Sequence, residues 1–373
     1  MKFIYSIIFL SFTSCSVIQI FSDQEINILE KCSTIDFDMG MPLLNVKLDS
    51  VQHTFLFDTG ATGSVIVDSL KIKDFKNKKF FYFGSSVGAD KKASKRRLFT
   101  ANITSETFEG KNKVFAFFNL PVQECQKEQK FSGIIGMDVL LDEKLTMFLN
   151  FTQNQLCNIS KENQKHFIKE GNFQRVKSEC SRRMIHIFLT IENVEYKFKL
   201  DTGFIGDLII PGSKVQRFKN QNFRAFEGSL FSTLTTITTG NELIFDEMPV
   251  KFGVQTFQSP VIISSTIAAQ NAGINFIKKF DWIIDYEKNQ VYIKPNMNID
   301  IPISKKERQY ATIMYKGNLV IKLKEKSQTK YNLGDEIVSV NNQKVTSENI
   351  CELQDFLNKT EDWNTLDLEV THK

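Results

Sequence analysis

Two short stretches decide how this chain reads: Phe55-Leu56-Phe57-Asp58-Thr59-Gly60 and Phe198-Lys199-Leu200-Asp201-Thr202-Gly203. Each is a mostly apolar run that ends in Asp-Thr-Gly, and the second lies 143 residues after the first. Each is followed by another short apolar run, Val65-Ile66-Val67 in one half and Leu208-Ile209-Ile210 in the other. A lone Asp-Thr-Gly is a common turn. Two copies with matched flanks are an internal repeat. The match continues downstream, where Gly133-Ile134-Ile135-Gly136-Met137-Asp138-Val139-Leu140 is answered by Ala272-Gly273-Ile274-Asn275-Phe276-Ile277. Beyond it, Asn150-Phe151-Thr152-Gln153-Asn154-Gln155-Leu156 is answered by Asp285-Tyr286-Glu287-Lys288-Asn289-Gln290-Val291. The blocks keep their order in both halves.

Outward from these stretches, most of the chain alternates or runs apolar over four to seven residues between Gly, Asn, Asp or Lys, as at 46–48, 54–57, 187–191 and 261–263. Such runs read as strands. Few helical patterns appear, the better ones at 163–170 and 348–357. The 373 residues, 42% hydrophobic and 24% charged, supply a large core and exclude wholesale disorder. A net charge of +4 over that length gives no case for nucleic-acid binding. The 34 phenylalanines favour strands and cores, and seven prolines are too few for Pro-rich linkers.

Other chemistries find little support. The six cysteines include no Cys-x-x-Cys, and the four histidines are dispersed, so zinc-ligand spacing is absent. There is no Gly-x-Ser-x-Gly elbow and no phosphate-cradling glycine loop. A Cys–His nucleophile pair assembled by the fold stays open.

At the start, Lys2 precedes the apolar run 3–12, followed by Thr13 and Ser14. That order reads as a secretory signal over residues 1–22. Extended to Phe21, the run would also serve as an uncleaved anchor. Ser14-Cys15 resembles the lipobox of bacterial lipoproteins, although Phe12 stands where leucine is usual. The resemblance implies an exported protein of the periplasm or cell envelope, tethered to the membrane through lipidated Cys15. Five cysteines would then remain, an odd number that leaves at least one unpaired.

The duplicated Asp-Thr-Gly blocks resemble those of aspartic peptidases of the retropepsin and pepsin type. Asp58-Thr59-Gly60-Ala61-Thr62 fits that active-site loop closely. Phe204 and Ile205 depart from the eukaryotic form of the second loop and are similar to bacterial retropepsin-like sequences. Gly133-Ile134-Ile135-Gly136 resembles the element that wraps the catalytic strand, and only Ala272-Gly273-Ile274 remains of it in the second half. The resemblance spans about residues 35–296 and implies a mainly β, two-lobed aspartic-protease fold. It implies a catalytic dyad of Asp58 and Asp201, supported by Thr59, Gly60, Thr202 and Gly203, with no metal or organic cofactor. Both lobes lie in one chain, so no homodimer is required.

The implied reaction is hydrolysis of a peptide or protein substrate by activated water. One carboxylate must take a proton from water while its partner offers one to the carbonyl. Two like charges about 4 Å apart repel by about 4 kcal/mol at an effective dielectric near 20. That is about three pKa units, so the pair holds one proton between them. In the family the threonine hydroxyls bond across the lobe interface. The competing reading is a catalytically silent peptide-binding lipoprotein of the same fold, motivated by Phe204 and Ile205. Candidate flaps are 80–88 and 227–236, each equally a plain surface hairpin. Lys91, Lys92, Lys95, Arg96 and Arg97 form a basic run, read as a solvated loop or as a preference for acidic substrates or anionic lipid.

After Lys294-Pro295 the duplication ends. Leu333-Gly334-Asp335-Glu336-Ile337 followed by Asn341-Asn342 and Val345 resembles a PDZ domain of the bacterial protease type. That module is small and α+β, and binds C-terminal peptides by strand addition. Here the usual Gly-Leu carboxylate loop is not evident, so a purely structural module stands beside peptide capture. The expected organisation is lobe 1 at 35–160, a connector at 161–183, lobe 2 at 184–296 and the PDZ-like domain at 305–373.

Overall fold

The computed structural model describes residues 23–37, 40–67, 81–117, 125, 131–142, 144–214, 218–219, 222–231, 237–296 and 308–372. Among them the chain is mainly β and falls into two similar halves followed by a smaller unit. Each half opens with a tight hairpin. In the first, Leu43–Leu48 pairs antiparallel with Val51–Phe57. In the second, Met184–Ile191 pairs with Val194–Asp201. Both turns are two residues with positive φ, Asp49 (45°) and Ser50 (76°), then Glu192 (48°) and Asn193 (66°). Such turns match the right-handed twist of the flanking strands. Strict alternation buries Ile185, Ile187, Leu189 and Ile191 on one face of the second hairpin.

The downstream blocks close over these hairpins in the same way twice. Gly133–Ile135 lies parallel to Phe55-Leu56-Phe57 and antiparallel to Val65–Ile66. Asn271–Gly273 lies parallel to Lys199-Leu200-Asp201 and antiparallel to Leu208 and Ile209. The register places Gly273 where Gly136 stands, so Asn271 and Ala272 answer Ile134 and Ile135. The second wrapping element is therefore complete, with Asn271 in place of an apolar residue.

A six-stranded sheet joins the halves. Its strands run in the order Gln174–Val176, Gln290–Pro295, Phe280–Asp285, Leu145–Asn150, Gln155–Ser160 and Cys32–Thr34. At its centre Met147, Phe148 and Leu149 pair with Ile284, Ile283 and Trp282. One apolar core runs through both halves and this sheet, with Phe55, Phe115, Phe198, Phe276 and Trp282 fully buried. Cys32 and Cys157 form a disulfide across its edge pair.

Residues 308–372 have their own core around Tyr310, Leu319, Ile337, Leu357 and Trp363. Helix Ile350–Lys359 packs on strands Tyr310–Tyr315 and Asn318–Glu325. Asn341 and Asn342, both at positive φ, turn Glu336–Val340 into Gln343–Lys344.

Several boundaries differ from those expected. Strand Glu25–Ile28 pairs with Phe108–Phe117 and Cys32–Thr34 pairs with Gln155–Ser160, so the first half starts before residue 35. The 161–183 connector is structured: helix Lys161–Glu170 is capped by Ser160, strand Gln174–Val176 joins the six-stranded sheet and strand Ser178–Ser181 pairs with the second half's first hairpin. The tail is not detached, because Phe226, Glu227 and Gly228 pair with Glu325, Lys324 and Leu323 in one continuous sheet. The disulfide Cys125–Cys351 ties it also to the first half. The segment 1–22, with Cys15, lies outside the described residues, as do 305–307. No helix among the described residues is long and apolar enough to cross a membrane.

Candidate active site

The two hairpins deliver Asp58 and Asp201 to the floor of one cleft of about 1400 Å³ between the halves. Their loops are locked face to face by four hydrogen bonds. Thr202 Oγ1 donates to the Phe57 carbonyl (2.7 Å) and accepts from the Thr59 amide (3.0 Å). Reciprocally, Thr59 Oγ1 donates to the Leu200 carbonyl (3.0 Å) and accepts from the Thr202 amide (3.2 Å). Both threonines are fully buried, so each hydroxyl satisfies backbone groups that water cannot reach.

The glycines are required by close approach across the same interface. A Cβ on Gly60 would sit 2.3 Å from Asp201 Cγ, and one on Gly203 would sit 2.6 Å from Asp58 Cγ. Each carboxylate thus packs against the opposite loop's glycine, which brings the two acids together. The six residues singled out from the sequence all meet here.

Phe204 and Ile205 do not distort the second loop. The Phe204 amide donates to the Asp201 carbonyl (3.1 Å) as Ala61 does to Asp58 (3.3 Å). The Ile274 amide donates to the Phe204 carbonyl as Met137 does to Ala61, each at 2.9 Å. The Phe204 ring fills the space left by Gly206 and Gly273, while Ile205 points to solvent.

Electrostatically the two acids differ. Asp58 is half-buried and accepts from the Gly60 amide at 2.7 Å. Burial pushes its carboxyl up to about 7, and the charge of Asp201 adds to the rise; Lys199 and the Gly60 N–H oppose it. Asp201 Oδ2 accepts from Asn271 Nδ2 at 2.6 Å and lies 3.3 Å from Lys199 Nζ. Lys199 also donates to the Gly60 carbonyl (3.0 Å), linking the two loops. Burial works against the Lys199 charge, but the Asp201 and Asp58 carboxylates outweigh it and raise its pKa.

Lys199 and Asn271 were not among the residues singled out. Lys199 stood inside the quoted repeat, at the position of Leu56. Asn271 lies one residue before Ala272-Gly273-Ile274, the stretch that answers the first wrapping element in sequence.

Each loop rests on a buried ion pair. In the first half Asp138 accepts from Ser64 Oγ (2.7 Å) and pairs with Lys113. In the second, Asp207 takes the place of Ser64 and pairs with Lys279 at 2.6 Å, with Ser259 alongside.

Flap candidates divide. Phe81–Val87 pairs with Ala93–Thr104 as a hairpin whose tip leans over the cleft. The Ala89 carbonyl there accepts from the amides of Ala268 (2.9 Å) and Ala269 (3.2 Å) in the other half. Of the basic run carried by this hairpin, Arg96 lines the cleft and Arg97 lies 4.6 Å over the Phe117 ring. The second candidate begins in strand Arg224–Gly228 and sends Phe231 to the cleft wall, but 232–236 lie outside the described residues.

No group of three His, Cys, Asp or Glu with metal-binding geometry occurs among the described residues. Cys180 forms no disulfide, and burial pushes its thiol up to about 12, which leaves it a poor nucleophile.

Comparison with known proteins gives one family match: a model described as retroviral aspartyl protease fits residues 39–147. That stretch holds Asp58, its loop and the first wrapping element. No curated protein sequence matches the chain. Among solved structures, basic 7S globulin from soybean is similar at 10% identity and a TM-score of 0.42, over 75% of this chain and 99% of that one.

Proposed function

We propose that this chain is an aspartic endopeptidase that hydrolyses peptide bonds with a water activated between Asp58 and Asp201. The observation that carries the reading is the reciprocal threonine lock, which sets two carboxylates against each other at the base of a long cleft. With one proton on the pair, one carboxylate takes a proton from the water as its oxygen adds to the carbonyl carbon. The other gives its proton to the carbonyl oxygen. Collapse of the tetrahedral diol then breaks the C–N bond: the carboxylate that took the water proton gives it to the amine nitrogen, and the other takes a hydroxyl proton from the diol, which leaves one proton on the pair. The substrate in this reading is a peptide or unfolded protein. Turnover of an unfolded protein by the full chain, lost in Asp58→Asn, tests this; binding without turnover in the unmodified chain would favour the silent peptide-binding reading.

We read the protein as exported. Two disulfides, Cys32–Cys157 and Cys125–Cys351, support an oxidising compartment. Cys15 would be the membrane tether. Radiolabelled lipid incorporation into the full chain, absent in Cys15→Ser, checks it.

The tail resembles a PDZ domain in sequence, but we assign it a structural role. The outer edge of strand Tyr310–Tyr315, where a peptide strand would add, is occupied by helix side chains. Asn358 Oδ1 accepts from the Thr312 amide (2.8 Å) and Gln354 Oε1 from the Met314 amide (2.6 Å). Peptide-array binding that survives in Asn358→Ala no better than in the unmodified chain, at background level, is expected; saturable capture of a C-terminal peptide would reverse this assignment.

A further inference from the structure

The two halves repeat one backbone, yet the pair of residues two places before each catalytic position differs in kind. In the first half Leu56 faces Ile134, and both are buried apolar side chains. In the second half the same register brings Lys199 against Asn271. Both polar groups converge on one oxygen, Asp201 Oδ2, at 3.3 Å and 2.6 Å. Asp58 instead accepts from the amide of Gly60 in its own loop at 2.7 Å.

We propose that Lys199, together with Asn271, makes the dyad unequal: it fixes the negative charge on Asp201 and leaves the shared proton on Asp58. Asp201 is then the base that accepts the proton of the attacking water, and Asp58 is the acid that protonates the carbonyl oxygen. Lys199 is a positioning residue for this proton, since it acts through Asp201. The inference rests on the peptidase reading above.

Among the described residues, the polar groups against Asp201 are Asp58 from the opposite loop, Lys199 on its own strand and Asn271 on the adjacent one. Arg96, Arg183 and Lys214 line the same cleft, and Lys113 is paired with Asp138. His186 lies across from Lys199 on the next strand, and burial, with Lys197 adding to it, holds its ring below the usual range. Lys197, two residues further from Asp201, is held by Glu179 at 2.6 Å. An ammonium within 3.3 Å of a carboxylate lowers the affinity of that carboxylate for protons. A carboxamide N–H on the same oxygen acts in the same direction. The Asn271 orientation follows from this: with Lys199 beside Oδ2, the oxygen is an acceptor, and the amide must present its nitrogen.

The sign of the effect on rate is fixed. The active dyad carries one proton. Its acid limb is protonation of the carboxylate and its alkaline limb is loss of the shared proton. A cation favours ionised forms, so Lys199 holds both limbs at lower pH than the carboxylates alone would give. Its removal moves both limbs upward, the acid limb more, because Lys199 touches Asp201.

The test is the pH dependence of kcat/KM for the full chain, Lys199→Met, Lys199→Gln and Lys199→Arg, beside a carbon-13 titration of the Asp201 carboxyl in Asp58→Asn with and without Lys199. Lys199→Met and Lys199→Gln should shift the acid limb up by about 1–3 pH units, and Lys199→Arg should stay near the parent. The Asp201 carboxyl should titrate higher by a similar amount once Lys199 is gone. An unmoved acid limb, or an equal shift in Lys199→Arg and Lys199→Met, overturns the proposal, as does an unmoved carboxyl titration. A shifted titration in a chain without turnover would overturn the peptidase reading and uphold the charge placement.

Discussion

The two halves of this molecule share a backbone and differ in what they do to their acid. Each builds the same tight hairpin, the same Asp-Thr-Gly loop and the same wrapping strand. In the first, an apolar pair under the loop leaves Asp58 in surroundings that raise its pKa. In the second, Lys199 and Asn271 converge on one carboxylate oxygen of Asp201. A duplicated frame brings two acids together, while the polar pair Lys199 and Asn271, standing where the first half has Leu56 and Ile134, carries the proton placement we propose. The halves also anchor their cleft hairpins differently. The first half's hairpin is latched to the second half through Ala89, and the second half's hairpin is latched to the tail through Phe226 to Gly228.

The comparison breaks most sharply at the acids themselves. Asp58→Asn and Asp201→Asn should each lower kcat by roughly 10⁴-fold, because each removes one half of the acid–base exchange. A loss in one variant alone, measured as peptide cleavage, would mean that the halves do not act as a pair.

Next come the buried ion pairs beneath each loop. Lys113→Met leaves Asp138 charged and buried without its partner, and Lys279→Met does the same to Asp207. Each should destabilise the fold by about 3–5 kcal/mol, read from urea denaturation of the full chain. The pairs differ in chain position and share one task, so similar values are expected.

The threonine lock is symmetric, so its two members should behave alike. Thr202→Ala strands the Phe57 carbonyl and the Thr59 amide, and Thr59→Ala strands the Leu200 carbonyl and the Thr202 amide. Each should cost about 2–3 kcal/mol of stability and reduce kcat, whereas Ser at either position should restore most of both.

A smaller effect sharpens the electrostatic contrast. The raised pKa of Asp58 means that the folded state binds its proton more tightly than the unfolded chain does. That contribution to stability is present below the ordinary carboxylate range and is lost as pH rises through about 7. Asp58→Asn should therefore raise the unfolding free energy at pH 8 by about 1–3 kcal/mol and change it little at pH 3, read from urea denaturation at each pH. The smallest effect is expected at the tail junction. Glu227 and Lys324 form a partly exposed pair at 3.5 Å, and Glu227→Ala should cost no more than about 1 kcal/mol.

Much of the fold was legible. Alternating apolar residues marked strands, and the matched blocks around Asp58 and Asp201 marked the duplication. The six site residues were legible because each had a counterpart in the other half. Lys199 and Asn271 were not, because they become neighbours only through a parallel pairing between segments far apart in the chain. Alignment anchored on Gly136 and Gly273 would have exposed the polar substitution. The start of the first half was missed because Glu25–Ile28 and Cys32–Thr34 are short strands that gain their partners from distant residues. The tail's attachment was hidden for the same reason: strand Arg224–Gly228 finds its second neighbour beyond the duplicated region.

The most direct test of the account is cleavage of an unfolded protein by the purified full chain from pH 3 to pH 8, beside Asp58→Asn and Asp201→Asn. The account predicts turnover on a bell-shaped profile in the parent and none in either variant. Equal turnover in parent and variants, or none in a folded parent at any pH, would contradict it.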